Sequence, residues 1–242
     1  MSTDRHHIRV GGIAVEIVRK RIKNLHLGVY PPAGRVRVAA PLCFDDEAVR
    51  LAVVSRLGWI RRKRKEFERQ ERQSEREMVT GESHYFQGRR YRLSVIEEDG
   101  SPSVRLIGHT GMELRVRPGS DRHARELLLQ RWYRRKLREQ IPLLLVKWEP
   151  RVGESVSEVR VKKMKTLWGS CHATSRRIWL NLELAKKPAS CLEFILVHEM
   201  VHFKERHHTE RFRARMDALM PLWLQYRDEL NRAPLAHEEW RY

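Results

Sequence analysis

The residues that could do chemistry sit together in one short stretch, His198-Glu199-Met200-Val201-His202, with a further histidine at 208. Histidines four apart on a helix share a face, so His198 and His202 can reach one ion together. Glu199 then points near the position left for a water molecule. Three imidazoles with an open fourth position are the arrangement of catalytic rather than structural zinc. His208 is the first choice for the third ligand, and the adjacent His207, Glu205 and Glu210 are the alternatives. An ordinary surface pair of histidines would show the same spacing. The apolar run Phe194-Ile195-Leu196-Val197 argues against that reading, because it makes the helix one to be buried. Ser190 and Glu193 read as an S-x-x-E capping box that starts this helix.

The spacing from His198 to His208 matches H-E-x-x-H-x-x-G-x-x-H, with Glu205 where that pattern has glycine. The chain must therefore turn there by another route, with Thr209 capping the next helix. Upstream, Arg177 to Leu182 alternates strictly and predicts a strand, and Val156 to Met164 predicts another. Asn181 is a candidate to face the metal side. The edge of the sheet near Ile178 to Leu182 is a candidate to hold an extended peptide. Trp168, Ser170 and Cys171 lie in a segment with no catalytic spacing of its own, which reads as a tight turn beside the metal helix, with Cys171 a small buried residue.

The elements that position these residues follow from periodicity. Ile13 to Val18, Leu25 to Tyr30 and Arg35 to Ala40 predict strands. Asp45 or Asp46 caps a long helix over about 45–77, with Val49, Val53, Leu57 and Ile60 on its apolar stripe and a charged second half. Tyr85 to Leu93 signals a hairpin, and Val104 to Ile107 and Met112 to Val116 are short strands. After Pro118-Gly119, Ser120 or Asp121 starts a long helix that Pro142 should kink or split. A last helix runs from Thr209 through Phe212, Met216, Trp223 and Leu230. No internal repeat stands out. The expected organisation is α+β. A β-rich N-terminal lobe, 1–119, precedes a helical, zinc-bearing part, 120–242, with the H-E-x-x-H helix packed on a small sheet.

Composition bounds the partners. The 242 residues carry a formal net charge of +18. Clusters at Arg61 to Lys65 and Arg134 to Lys136 suggest weak contact with nucleic acid or another polyanion, against the plainer reading of a solvated basic face. No aromatic residue alternates with the basic run at 61–65, so no single-strand stacking platform is visible there. No run of about 18 apolar residues marks a membrane span. The stretch Met1 to His7 lacks the apolar core of a secretory signal. Cys43, Cys171 and Cys191 are odd in number and far apart. Together these features predict a reduced, cytoplasmic protein.

Three stretches carry a resemblance: Lys163-Met164-Lys165-Thr166-Leu167-Trp168-Gly169-Ser170-Cys171, then Ile178-Trp179-Leu180-Asn181-Leu182, then His198 to His202 with His208-Thr209 and Phe212. The chain resembles the YgjP-like metallopeptidases, which are related to the SprT and WLM groups of zincins. The family pattern is K-M-K-T-R-W-G-S-C, then I-x-L-N, then H-E-L-x-H with a later N-H-S-x-x-F. Leu167, Met200, His207 and Thr209 depart from it without removing a ligand or the glutamate. The resemblance implies a zincin-like domain with ligands His198, His202 and His208. Glu199 as general base on a zinc-activated water, cutting a peptide or protein, is the reaction expected. A metal-dependent nucleotide or phosphate hydrolase, or a peptidase acting on nucleic-acid-bound proteins, is the alternative. There is no phosphate-cradling Gly-rich loop to favour the nucleotide reading.

Overall fold

The computed structural model describes residues 5–30, 34–69, 76–164 and 167–232. It is a mixed α+β chain that divides into two compact units, Met1–Glu75 with Pro234–Tyr242, and Arg76–Ala233. Among the described residues there are three small sheets and six α-helices, and no helix is long and apolar enough to cross a membrane.

In the first unit β1 (Arg5–Val10), β2 (Ile13–Lys20), β3 (His26–Tyr30) and β4 (Arg35–Pro41) form a sheet in the order β1-β2-β4-β3, with β2 and β4 parallel. β1 is a polar alternating strand not expected from the sequence. Val15, Ile17, Val36 and Val38 form the buried face and pack with Val49 and Val53. Asp45 caps α1 (Asp46–Val54) by accepting from Ala48 N. The single helix expected over 45–77 is two: α1 stops at Ser55, whose hydroxyl donates to Ala52 O, and α2 spans Leu57–Arg69. Residues 70–75 of that expected helix lie outside the described residues.

The second unit opens with β5 (Ser83–Phe86), β6 (Arg89–Glu97), β7 (Ser103–Ile107) and β8 (Gly111–Val116), in the order β5-β6-β8-β7. The compact units divide at Glu75–Arg76, not at Gly119 as the sequence suggested. The reason is shared burial: Leu93, Met112 and Leu114 of this sheet pack in one core with Trp132, Tyr133 and Leu137 of α3 (Arg122–Val152). α3 runs unsplit through Pro142 and Pro150, so Pro142 does not divide the helix in two.

The last part carries β9 (Glu158–Lys162), β10 (Gly169–His172) and β11 (Arg177–Asn181), then a 3-10 turn Leu182–Lys186 and α4 (Ala189–Val201). The expected single terminal helix is α5 (Glu210–Leu219) and α6 (Trp223–Arg232), broken at Met220 before Pro221. Strand order is β10-β11-β9, so β11 is central and its backbone is paired on both sides. It therefore offers no edge to a peptide. The edges of this sheet are β10 and β9.

The start of α4 is set from outside. Gln87 and Gly88, the turn of the β5–β6 hairpin, have φ of 48° and 77° and donate backbone N–H groups to Ala185 O and Lys186 O. A Cβ on Gly88 would lie 2.8 Å from Pro188 Cγ, so the hairpin tip and the first residue before α4 touch. The expected capping box does not form. Pro188 is the N-cap, and Glu193 instead accepts from Trp148 Nε1 at 2.7 Å and Lys147 Nζ at 2.5 Å on α3.

Candidate metal centre

α4 is buried nearly all round, including Cys191, Leu192, Val197, Met200 and Val201. A helix apolar on every side belongs inside a core, and this one carries His198 and Glu199 into it. His202 is its C-cap. The chain then turns through 203–208, and Thr209 caps α5 by accepting from Phe212 N.

That turn brings His208 back onto the helix. The Nε2 atoms of His198, His202 and His208 stand 3.1, 3.1 and 3.0 Å from one another. His207, Glu205 and Glu210 do not join this group. Glu205 contributes its backbone instead: its carbonyl lies 2.8 Å from His202 Nδ1. With Nδ1–H donating there, His202 presents a bare Nε2 to the centre. His198 Nδ1 is buried with no hydrogen-bond partner among the described residues. The Phe212 ring backs all three imidazoles, 4.9, 4.7 and 4.8 Å from the rings of His198, His202 and His208.

The donor set fits a small divalent cation. Nitrogens at about 2.0–2.1 Å from a tetrahedral ion are separated by roughly 3.3 Å, close to the spacing here. Burial, then the neighbouring imidazoles, pull the His198 pKa down to about 3. Burial also lowers that of His202. Neutral rings with converging lone pairs are what a metal requires and what proton-bearing rings would resist.

Glu199 is 6% exposed. Burial pushes its carboxyl up to about 7, opposed by a hydrogen bond from the Cys171 thiol. The thiol itself is driven up to about 12 by burial and by Glu199, so it stays S–H and serves as a donor. The tightest approach comes from β10. A Cβ on Gly169 would sit 2.7 Å from Glu199 Oε1 and 2.7 Å from Ile195 Cγ2. Gly169 and Cys171 are two apart on one strand and so share a face. One leaves the space that Glu199 fills and the other contacts its carboxylate.

The remaining sequence candidates have other places. Ser170 alternates to the opposite face of β10. Asn181 is buried, and its side chain donates to Met164 O and Leu167 O at 2.8 Å while accepting from Glu183 N at 3.2 Å. It clamps the loop that carries Trp168 and neither faces the metal side nor lies exposed. Trp168 packs partly buried at that loop, with Lys187 Nζ 5.4 Å from its ring centre. Burial draws the Lys187 amine down to about 8. Trp168-Gly169-Ser170-Cys171 is largely strand, not the expected tight turn. Sequence reasoning gave no role to Gly169 or Phe212. For Phe212 the signal was an aromatic three residues after the helix cap at Thr209.

Comparison with known proteins gives one family. The family model described as YgjP-like, metallopeptidase domain, matches residues 23–233. No curated protein matches. Among solved structures, the crystal structure of the metallopeptidase zymogen of Pyrococcus abyssi abylysin is 19% identical, covering 37% of this chain and 90% of that one, with a TM-score of 0.35.

Proposed function

The chain belongs to the YgjP-like metallopeptidase family, and from that premise we propose that it is a zinc-dependent peptidase with Glu199 as general base. The observation that carries this reading is the convergence of three imidazole nitrogens within 3.1 Å of one another, with the buried Glu199 on the helix that carries His198.

His198, His202 and His208 would hold the ion. When bound, zinc supplies Lewis acidity to a water molecule and to the substrate carbonyl. Glu199 accepts the proton of the attacking water at a carboxylate oxygen and returns it to the leaving amine nitrogen. A carboxyl held near 7 by burial is matched to both halves of that transfer, and a nearby cation favours its ionised form. Gly169 and Cys171 hold the carboxylate in place. β10 is an edge strand, so its outer backbone groups are available to pair with an extended peptide. This replaces β11 as the substrate strand.

The test is the purified, zinc-loaded chain assayed in parallel against a peptide library and the nucleoside triphosphates. Peptide cleavage by the wild type that disappears in Glu199→Gln is the expected result. Triphosphate hydrolysis without peptide cleavage would replace the peptidase reading with the phosphate one.

A further inference from the structure

The face of the β10-β11-β9 sheet turned away from α4 takes no part in the metal centre. Residues paired across strands lie on one face of a sheet. Gly169, Leu180 and Val161 are register partners on the buried side, so Trp179, its partners Arg160 and Ser170, and Lys162 lie on the other. Trp179 is half-buried on the central strand, and Arg160 and Lys162 are exposed. Lys162 Nζ lies 5.7 Å from the Trp179 ring centre.

On this face Arg160 also pairs with Glu158 at 2.6 Å, and the edge strand β9 meets α3 through one hydrogen bond. Arg134 Nε donates to Val161 O, between Arg160 and Lys162, at 3.4 Å on the edge strand β9. Arg131, Arg134, Arg135 and Arg138 follow the i, i+3, i+4, i+7 spacing of one helix face and line an open groove with Glu139. Glu139 is engaged by Lys136 at 2.7 Å and by Arg135 at 3.8 Å. Like charges four apart destabilise a helix. Arg131 with Arg135 and Arg134 with Arg138 are two such pairs, and one shared carboxylate does not offset both. An anion in the groove would.

We propose that this surface binds single-stranded nucleic acid, the α3 arginines taking backbone phosphates and Trp179 stacking a base. The aromatic residue decides among anions. A lone phosphate or an acidic peptide would use the guanidinium groups and gain nothing from base stacking. In a duplex the bases are already stacked and paired, so a half-buried indole on a sheet reaches them only in a single strand. The surface is built from residues outside the metal centre and does not depend on the proposed peptidase chemistry. The sequence pointed to Arg61–Lys65 and Arg134–Lys136. The surface instead uses Arg131, Arg134, Arg135 and Arg138, with Lys136 turned to Glu139.

The experiment is fluorescence anisotropy of labelled oligo-dT and of a duplex, titrated with the full-length protein at about 50 and about 200 mM salt. The expected result is tighter binding of oligo-dT than of duplex, weakened steeply by salt. In the triple variant Arg131→Gln/Arg135→Gln/Arg138→Gln, affinity should fall at least tenfold and the salt dependence should flatten. Trp179→Ala should remove the preference for the single strand, and Trp179→Phe should keep it. Zinc content and circular dichroism confirm that each variant is folded. No oligo-dT binding at the lower salt, wild-type binding by the triple variant, or a single-strand preference untouched by Trp179→Ala would each overturn the proposal. So would poly-glutamate competing as well as oligo-dT.

Discussion

The two four-stranded sheets share one plan and end in different places. In each, two hairpins meet at a parallel central pair, β2 with β4 and β6 with β8. In each, the next helix is capped by an aspartate three residues before an alanine whose N–H it accepts, Asp45 with Ala48 and Asp121 with Ala124. The first sheet closes a small core of its own over α1, where only Val49 and Val53 are buried. The second passes its core on. α3 buries Leu129 and Trp132 near one end and Trp148 and Val152 near the other, and so joins the sheet to α4. The same strand plan therefore yields a self-contained unit or the foundation of a site, according to the length and burial of the helix that follows it. The sequence showed no internal repeat, yet the two sheets share their strand order.

This contrast predicts where damage stays local. The largest effect within the second unit is expected from Glu199→Gln, which keeps shape and removes the proposed proton acceptor. Turnover should fall at least about a hundredfold with metal retained. Loss of metal in that variant would make Glu199 a ligand or a structural group.

Glycines in edge strands sharpen the comparison. At Gly169 a methyl would meet Glu199 and Ile195 at 2.7 Å, both on a buried helix. At Gly28 it would meet the Tyr30 hydroxyl at 2.6 Å and its ring at 2.7 Å, a side chain of the first unit's own sheet. Gly169→Ala should lower turnover about tenfold or more and cost roughly 1–3 kcal/mol in a denaturant melt. Gly28→Ala should leave turnover unchanged. Equal behaviour of the two variants would remove Gly169 from the account of the site.

In the first unit, Ile17 is fully buried. Ile17→Ala should destabilise that unit by about 2–5 kcal/mol, seen as an early transition in a urea melt, with zinc content and turnover held. A tenfold loss of activity would mean that the units are not energetically separate.

The smallest effect concerns pH. A hydrogen bond from the Cys171 thiol favours the Glu199 carboxylate and lowers its pKa. Removing the thiol raises that pKa, and the base must be unprotonated to act. The acid limb of kcat/KM should therefore move to higher pH in Cys171→Ala, with the plateau changed only a few-fold. A limb that stays put would leave Cys171 as packing alone.

The site was more legible in the sequence than the pairing around it. His198 and His202 were readable because helical spacing fixes which side chains meet. A strand's alternation gives its two faces but not its neighbours, so the central place of β11 and the edge at β10 could not be read. Ser190 and Glu193 matched a cap signal, yet Glu193 found stronger donors in Trp148 and Lys147 on α3. Tertiary contacts of this kind override local rules. Gly169 was invisible for the same reason, since its role is the space it leaves for a residue on another element.

The most direct test of the central claim is metal analysis of the purified chain and of two neighbouring variants. The account predicts one zinc per chain in the wild type, loss of that zinc in His208→Ala, and retention in His207→Ala. Zinc retained in His208→Ala and lost in His207→Ala would contradict it.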